Sequence, residues 1–138
     1  MTECTCRALS QATRRVHRLY DAALVPLGIT IGQFSLLTQI RKAPGLTLSE
    51  LAERNVMDAS TISRLVRPLM QRGLIESLVD PDDRRARKVR LTPEGAELQA
   101  RGIPLWRTAQ SSLERAIGAG PNTELRTLLG SLLTALPD

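Results

Sequence analysis

Aromatic side chains are scarce in this sequence: its 138 residues include one tyrosine, one phenylalanine and one tryptophan. Proteins that bind RNA or single-stranded nucleic acids stack bases on exposed aromatic side chains, so this scarcity argues against such ligands and leaves duplex DNA open. Histidine and cysteine are equally rare, with only His17, Cys4 and Cys6. These residues are too few for a familiar closed zinc site, and a histidine-based triad would depend on His17 alone. We therefore expect no metal, no cofactor and no enzymatic activity.

Long apolar runs are also missing. No run approaches the ~18 residues that a membrane helix needs, and residues 1–4 lack the charged and apolar regions of a signal peptide. Two cysteines so close in sequence cannot staple a secreted domain, and a reducing compartment keeps them as thiols. We expect a cytoplasmic protein that does not contact a membrane.

The residues that are present describe a basic, globular chain. Nineteen Lys and Arg residues against fourteen Asp and Glu residues give a net charge of +5, and 42% of the residues are hydrophobic. That hydrophobic share is enough for a packed core. The length fits one domain of ordinary size, with or without an extension for oligomerisation, and excludes a large multidomain enzyme.

The first half of the chain carries the periodicity and the capping residues of several helices. Apolar residues at spacings of three and four predict a helix over residues 7–27, ended by a proline and a glycine. Thr30 and Gln33 have the spacing of a capping box that opens a short second helix. The same spacing recurs at residues 47–50, before a third helix of about two turns.

The fourth helix is the one with an unusual residue in its interior. Asp58 is a suitable N-cap for this helix, and Gly73 follows its last turn. A proline such as Pro68 inside a helix removes one backbone hydrogen bond and costs about 3 kcal/mol, so the helix either kinks there or ends near Arg67. Apolar residues at helical spacing continue on both sides of the proline, which favours a kink.

Two short runs after the fourth helix predict a β-hairpin. Residues 74–79 and 87–91 are rich in β-forming residues, and the second run alternates polar with apolar side chains. The connection at residues 80–86 is densely charged and longer than a tight turn, as binding loops often are. A carboxylate there can hold the loop while an arginine points outward; the alternative is an ordinary solvated run of charges.

The C-terminal part predicts two helices and a surface that needs a partner. Thr92 and Pro93 begin a long helix that runs to about Ala119, and Asn122 is predicted to cap a final helix. The leucines of that helix form one face: Leu125, Leu128, Leu129, Leu132, Leu133 and Leu136. The economical partner is the same surface of a second copy in a symmetric dimer. The alternative is that the two terminal helices cover each other within one chain.

This order of elements is that of a winged helix-turn-helix, in which a short helix, a turn and a second helix precede a charged hairpin. We expect a mainly α fold with a small β-hairpin. Residues 30–91 form the winged helix-turn-helix, residues 1–29 an N-terminal dimerisation helix and residues 92–138 the C-terminal dimerisation helices of one intertwined domain. Such a module binds duplex DNA; the competing interpretation is a protein-interaction module whose basic face meets an acidic partner.

The start of the fourth helix carries the side chains expected to contact DNA. Small hydroxyl residues allow a helix end to approach bases and phosphates, and arginine can hold guanine; the candidates are Ser60, Thr61, Ser63, Arg64 and Arg67. Residues 59–91 hold eight basic against four acidic residues, so most of the excess positive charge lies there. The alternative is that the hydroxyls only solvate the first helical turn.

Several motifs resemble the MarR/SlyA family of transcription regulators over about residues 6–136: TIGQFSLL at 30–37, LSELA at 48–52, STISR at 60–64, GLI at 73–75, DPDDRR at 80–85 and LTPEG at 91–95. The resemblance implies an obligate homodimer joined through its first, fifth and sixth helices. It also implies that the two fourth helices enter successive major grooves of a pseudo-palindromic operator, while the wings reach the minor grooves.

The resemblance assigns roles within the wing as well. Asp80, Asp83 and Arg85 match the family's wing pattern, which implies that the aspartates support the loop and that Arg85 enters the minor groove. The potential of a narrow minor groove is strongly negative and attracts arginine. One departure from the pattern within this loop leaves open which arginine makes the deepest contact: Arg84, Arg85 or Arg87.

Family members usually repress transcription and release DNA in response to a small molecule or an oxidant, so the resemblance implies a repressor of this kind. Cys6 stands at a position similar to that of the reactive cysteine in the organic-hydroperoxide-sensing branch. Tyr20 matches a tyrosine that hydrogen-bonds that thiol, while Ser10 stands in place of a second tyrosine. Cys4 is placed to resolve a sulfenic acid formed on Cys6.

Other effectors stay open. A Cys-x-Cys pair from each subunit is able to hold a soft metal ion, and both cysteines also fit an inert role. A third hypothesis is an aromatic or carboxylate ligand bound between the dimer helices and the DNA-binding part, with a carboxylate meeting Arg14, Arg18 or His17.

Overall fold

The computed structural model describes residues 3–79, 81–83 and 86–137. The elements in chain order are α1 (Thr5–Leu24), a short 3-10 helix (Val25–Leu27), α2 (Ile31–Lys42), β1 (Leu46–Thr47), α3 (Leu48–Arg54), α4 (Ala59–Gln71), β2 (Ile75–Val79), β3 (Arg87–Leu91), α5 (Pro93–Ile117) and α6 (Ala119–Ala135). The predicted fold class is confirmed, because the described residues are mainly helical and include a small antiparallel sheet that carries the wing.

Two helix starts follow from local side-chain hydrogen bonds. At α2 the Thr30 hydroxyl accepts the Gln33 amide proton at 3.2 Å, and the Gln33 side chain accepts the Thr30 amide proton at 3.0 Å. This is the predicted capping box. At α3 only half of the box forms, because the Thr47 hydroxyl accepts from the Glu50 amide but also donates to the Glu50 carboxylate.

Helix α4 continues past Pro68, so the prediction that the helix does not end at Arg67 is confirmed. Pro68 is exposed, while the apolar residues on either side of it, Val66 and Leu69, are buried. The buried face therefore holds the helix across the lost backbone hydrogen bond. Gly73 adopts φ +72° just after the helix, the left-handed conformation that ends many helices.

The sheet has one strand more than predicted. Its order is β1-β3-β2, with β2 and β3 paired as the predicted hairpin in the register Ile75↔Leu91 to Val79↔Arg87. Strand β1 pairs with the other edge of β3 through Leu46↔Val89 and is only two residues long. A run of two residues shows no alternation, so the sequence pattern could not reveal it.

The predicted cap of the last helix is wrong. Helix α6 begins at Ala119 with Gly118 as its N-cap, so Asn122 lies inside the first turn and is buried. Pro121 favoured a later start, but a proline is tolerated in the first turn because its missing amide proton has no helical acceptor there. Gly118 has φ +93°, which allows the sharp reversal between α5 and α6.

The leucine face of α6 is not covered within the chain. Helices α1 and α6 each pack on α5, yet Leu128 and Leu133 are each 67% exposed and Leu136 is 63% exposed. The hypothesis that the terminal helices cover this face within one chain is therefore wrong. The main core lies elsewhere, where α2, α3, α4 and the sheet meet around side chains such as Leu37, Ile40 and Ile62.

No single helix in the described ranges is both long enough and apolar enough to cross a membrane, and only α1 with its 3-10 extension joined to α2, a pair bent by 72°, meets the length and composition criteria.

Candidate nucleic-acid interface

Helix α4 has one face in the core and one face outside. Ile62, Val66 and Leu69 are buried. Ser60, Arg64 and Arg67 recur every three or four residues, so they lie on one face of the helix, and all three are exposed. The other two candidates, Thr61 and Ser63, are half-buried at the edges of this face.

Asp58 organises the beginning of α4. Its Oδ1 atom accepts the Thr61 amide proton and the Ser60 hydroxyl proton, each at 2.8 Å. Hydrogen bonds from Thr61, followed by the one from Ser60, lower the pKa of Asp58 to about 2, so the carboxylate is ionised at neutral pH. Its charge offsets the positive helix end, and attraction for phosphate at α4 therefore depends on the arginines. The sequence predicted the cap but not the bond that engages Ser60.

The wing is described only in part. Asp80, Arg84 and Arg85 lie outside the described residues. Arg87 is exposed at the start of β3, opposite Val79. The Asp83 carbonyl accepts the Ala86 amide proton at 3.1 Å, a contact that shapes the loop between the strands.

The base of the wing lies next to the start of α3. A cleft of about 390 Å³ is lined by residues of both regions: Thr47, Leu48, Ser49, Ala86 and Arg87. Ser49 is exposed there and was not among the predicted site residues. No periodicity could have placed it beside Arg87, because β1 brings the two regions together.

Two of the basic side chains between residues 59 and 91 are engaged in the fold. Arg90 donates from Nε to Glu76, which lies directly opposite on β2. Arg72 donates to the carbonyl oxygens of Leu27 and Gly28. The sequence counted both residues as surface charge, but each has an acceptor within the chain.

A pair of amide side chains and a strained turn join α2, α3 and α4. Gln39 and Asn55 exchange two hydrogen bonds, at 3.0 and 2.9 Å. The next residue, Val56, has φ +52° and is the one non-glycine residue with positive φ in the described part of the chain. A β-branched residue rarely adopts this conformation. The Ala52 carbonyl accepts the Met57 amide proton at 2.9 Å, which closes the turn before α4.

The candidate sensor residues do not meet within one chain. Cys4 and Cys6 are exposed at the start of α1, whereas Tyr20 is buried and donates its hydroxyl proton to Gln110 of α5. Burial, with a smaller effect of the Glu114 charge, raises the pKa of Tyr20. Fourteen residues of helix separate Cys6 from Tyr20 by about 21 Å. A bond between them therefore requires two copies of the chain.

Over residues 3–79, 81–83 and 86–137, no three His, Cys, Asp or Glu side chains are grouped closely enough to hold a metal ion. A cleft of about 520 Å³ lies between α1, α2 and α5. Its lining is mostly apolar and aromatic but includes two cationic residues: Tyr20, Ile31, Phe34, Ser35, Thr38, Gln39, Lys42, Gln99, Ile103, Trp106 and Arg107. The predicted partners of a carboxylate are absent from this lining, because Arg14 and Arg18 line a separate surface depression on α1.

Comparison with known proteins gives consistent matches. The model of the MarR family matches residues 29–86. The DNA complex of the Mycobacterium tuberculosis transcriptional regulator MosR is 31% identical, with a TM-score of 0.83 over 96% of this chain and 98% of that chain. The chain belongs to the MarR family.

Further MarR-family relatives agree. A mutant MarR from Escherichia coli complexed with operator DNA is 30% identical, with a TM-score of 0.84 over 92% of this chain and 91% of that one. The multiple antibiotic resistance protein MarR of Salmonella typhimurium is 36% identical over 67% of this chain. The match spans 64% of that curated relative, which is less than two thirds of its length. The family match contains α2 to α4 and most of the wing, and the structural matches extend the likeness to the terminal helices.

Proposed function

We propose that this MarR-family protein is a homodimeric transcriptional regulator that binds a pseudo-palindromic duplex operator. The observation that carries the proposal is the exposed face of α4, where Ser60, Arg64 and Arg67 lie together outside the core. An α-helix fits the major groove, and arginine can hold the acceptor atoms of guanine. The wing, with Arg84, Arg85 and Arg87 near its tip, lies at the adjacent minor groove, with Asp80 and Asp83 supporting the loop. Two relatives of the same fold are described as bound to DNA.

The uncovered leucine face of α6 supports the dimer. Its leucines form an apolar strip that a single chain leaves in water, and a two-fold axis places the same strip of a second copy against it. Operators with two-fold symmetry match such a dimer, since each copy presents one α4 to one half-site.

We predict that Arg64→Ala lowers affinity for the preferred duplex by about 10- to 100-fold and relaxes base preference at one position of each half-site, because a bidentate arginine–guanine contact contributes about 1–3 kcal/mol. Arg67→Ala, if Arg67 meets phosphate, weakens binding to all sequences and makes the dependence of log affinity on log salt shallower by about one per contact. Fluorescence polarisation with duplexes selected from a random library, at a series of salt concentrations, measures both effects.

Arg101→Ala is the matched control, since Arg101 is an exposed arginine on α5, away from α4 and the wing. It removes the same charge and is expected to leave base preference unchanged. Equal losses in Arg101→Ala and Arg64→Ala would show that only net charge matters. A wild-type protein that selects no duplex would favour the alternative of a winged helix that binds an acidic protein.

We further propose that the protein acts as a repressor and that an effector releases it from DNA. The cleft between α1, α2 and α5 suits an aromatic acid, because Phe34 and Trp106 offer apolar contacts while Lys42 and Arg107 offer positive charge. Trp106 is the chain's single tryptophan. Quenching of its fluorescence by an aromatic acid, together with weaker DNA binding, tests this proposal directly.

The thiol switch predicted for Cys6 has a separate test. Treatment with a stoichiometric organic hydroperoxide is expected to abolish DNA binding of the wild type, since an exposed thiolate is oxidised to a sulfenic acid that Cys4 can convert to a disulfide. Dithiothreitol should restore binding, and Cys6→Ser should be insensitive. Cys4→Ser is the matched control that separates oxidation from resolution. Unchanged wild-type binding would refute the switch and leave the cleft ligand or a soft metal on the cysteines.

A further inference from the structure

Arg72 joins the end of α4 to the end of α1. It is the residue that follows α4, and its guanidinium extends to the short helix Val25–Leu27. Nη1 donates to the Gly28 carbonyl at 2.9 Å, and Nη2 donates to the Leu27 carbonyl at 3.1 Å. These partners are 44 and 45 residues away in sequence, so the contact is purely tertiary.

The acceptors suit a guanidinium in particular. The last carbonyl groups of a helical segment lack partners within the segment and carry partial negative charge. A guanidinium offers parallel N–H groups at a fixed spacing, whereas a lysine ammonium acts as a single point of charge. Gly28 has φ +65°, a conformation that glycine adopts without strain, and this turns its carbonyl toward Arg72.

The two sides of this contact have different roles in the proposed function. Leu27 is buried and holds the short helix in the core below α1, the predicted dimerisation helix. Helix α4 otherwise packs on α2, α3 and β2, which belong to the DNA-binding part. The Arg72 contact therefore links the helix that meets DNA with the helix that belongs to the dimer.

We propose that Arg72 is a positioning residue that fixes the orientation of α4 relative to α1 and thereby sets the half-site spacing that the dimer accepts. This inference rests on the proposed function. Paired helices in such dimers lie about 34–36 Å apart, one turn of DNA. Adjacent base pairs are only about 3.4 Å apart along the duplex axis. A small change in the orientation of both α4 helices is therefore enough to alter the preferred spacing by one base pair.

The test uses a duplex selected from a random library by the wild type, and derivatives with the same half-sites but one base pair fewer, one more or two more between them. Fluorescence polarisation gives the affinity of the wild type, Arg72→Lys, Arg72→Met and the control Gln71→Ala for each duplex. Gln71 is the exposed neighbour of Arg72 at the end of α4. Thermal unfolding and molecular mass in solution show that each variant remains folded and keeps the wild-type oligomeric state.

The wild type and Gln71→Ala are expected to prefer the selected spacing by about tenfold or more over its neighbours, comparable to the effect of a mismatched base pair. For Arg72→Met the preference should fall to within about threefold, and Arg72→Lys should lie between, because it keeps the charge but loses the paired geometry. A merely structural contribution would weaken all spacings equally.

Two outcomes overturn the inference and are distinguishable. If the wild type discriminates spacing and folded Arg72→Met discriminates equally well, Arg72 does not position α4, although the proposed function stands. If the wild type selects no duplex at all, the proposed function fails and the positioning role fails with it.

Discussion

Gly95→Ala is expected to lower the free energy of unfolding by more than about 3 kcal/mol, or to prevent folding, because one added methyl group meets rigid backbone. A Cβ atom at Gly95 would lie 1.9 Å from the Leu74 carbonyl oxygen and 2.9 Å from the Leu74 carbonyl carbon. Helix propensity alone predicts the opposite sign, since alanine is favoured over glycine inside a helix by about 1 kcal/mol. The steric term decides the outcome.

The neighbouring contacts explain why the backbone cannot yield at this point. The Leu74 carbonyl accepts the Thr92 amide proton at 3.1 Å, and the Thr92 hydroxyl donates to the Gly73 carbonyl at 2.6 Å. Thr92 also caps α5 by accepting the Gly95 amide proton at 3.0 Å. Moving α5 away from Leu74 would break the contacts that join the end of α4, the sheet and α5.

Urea unfolding followed by circular dichroism measures the effect of Gly95→Ala. Gly120→Ala is the matched control: Gly120 is also in the first turn of a helix, but a Cβ there has no neighbour within 4 Å. Its unfolding free energy should change by no more than about 1 kcal/mol. A Gly95→Ala protein as stable as the wild type would show that α5 does not approach Leu74 so closely.

Leu128→Glu is expected to convert the proposed dimer to a monomer and to weaken operator binding by at least about 100-fold, because one copy can no longer hold both half-sites at once. In the two-fold arrangement each added carboxylate is buried in an apolar interface, where an unpaired charge costs far more than at a surface. Sedimentation equilibrium gives the molecular mass, and polarisation with an operator duplex gives the affinity.

Thr127→Glu controls for the added charge on α6. Thr127 is exposed, donates its hydroxyl proton to the Thr123 carbonyl one turn earlier, and lies opposite the leucine face by helical geometry. This variant is expected to remain dimeric. A Leu128→Glu protein that sediments as a dimer and binds the operator as the wild type does would place the subunit interface elsewhere.

Sequence information was sufficient where structure depends on neighbours along the chain. The caps at Thr30 and Asp58 act over three residues, and the exposed face of α4 follows from one helical period, so both were predicted. Strand β1 was missed because two residues carry no pattern. The start of α6 was misplaced because Asn122 is a good cap by type but is buried in the first turn.

The candidate site was only partly predictable for the same physical reason. Arg72 and Arg90 were counted with the surface charge, because their acceptors are 14 to 45 residues away and their proximity is created by folding. The bond between Tyr20 and Gln110, 90 residues apart, was equally invisible. Residue type and spacing identified which side chains can bind DNA, while the fold decided which of them have internal acceptors.

Strand β1 has a mechanical consequence for the grip on DNA. It ties β3, one of the two wing strands, to the residue that begins α3, through Leu46↔Val89 and Thr47↔Lys88, and both members of the first pair are buried. The base of the wing is thus anchored to the helix-turn-helix as one lever and does not swing on a hinge of its own. Helix and wing should therefore leave a half-site together, so that dissociation from each half-site is a single kinetic step.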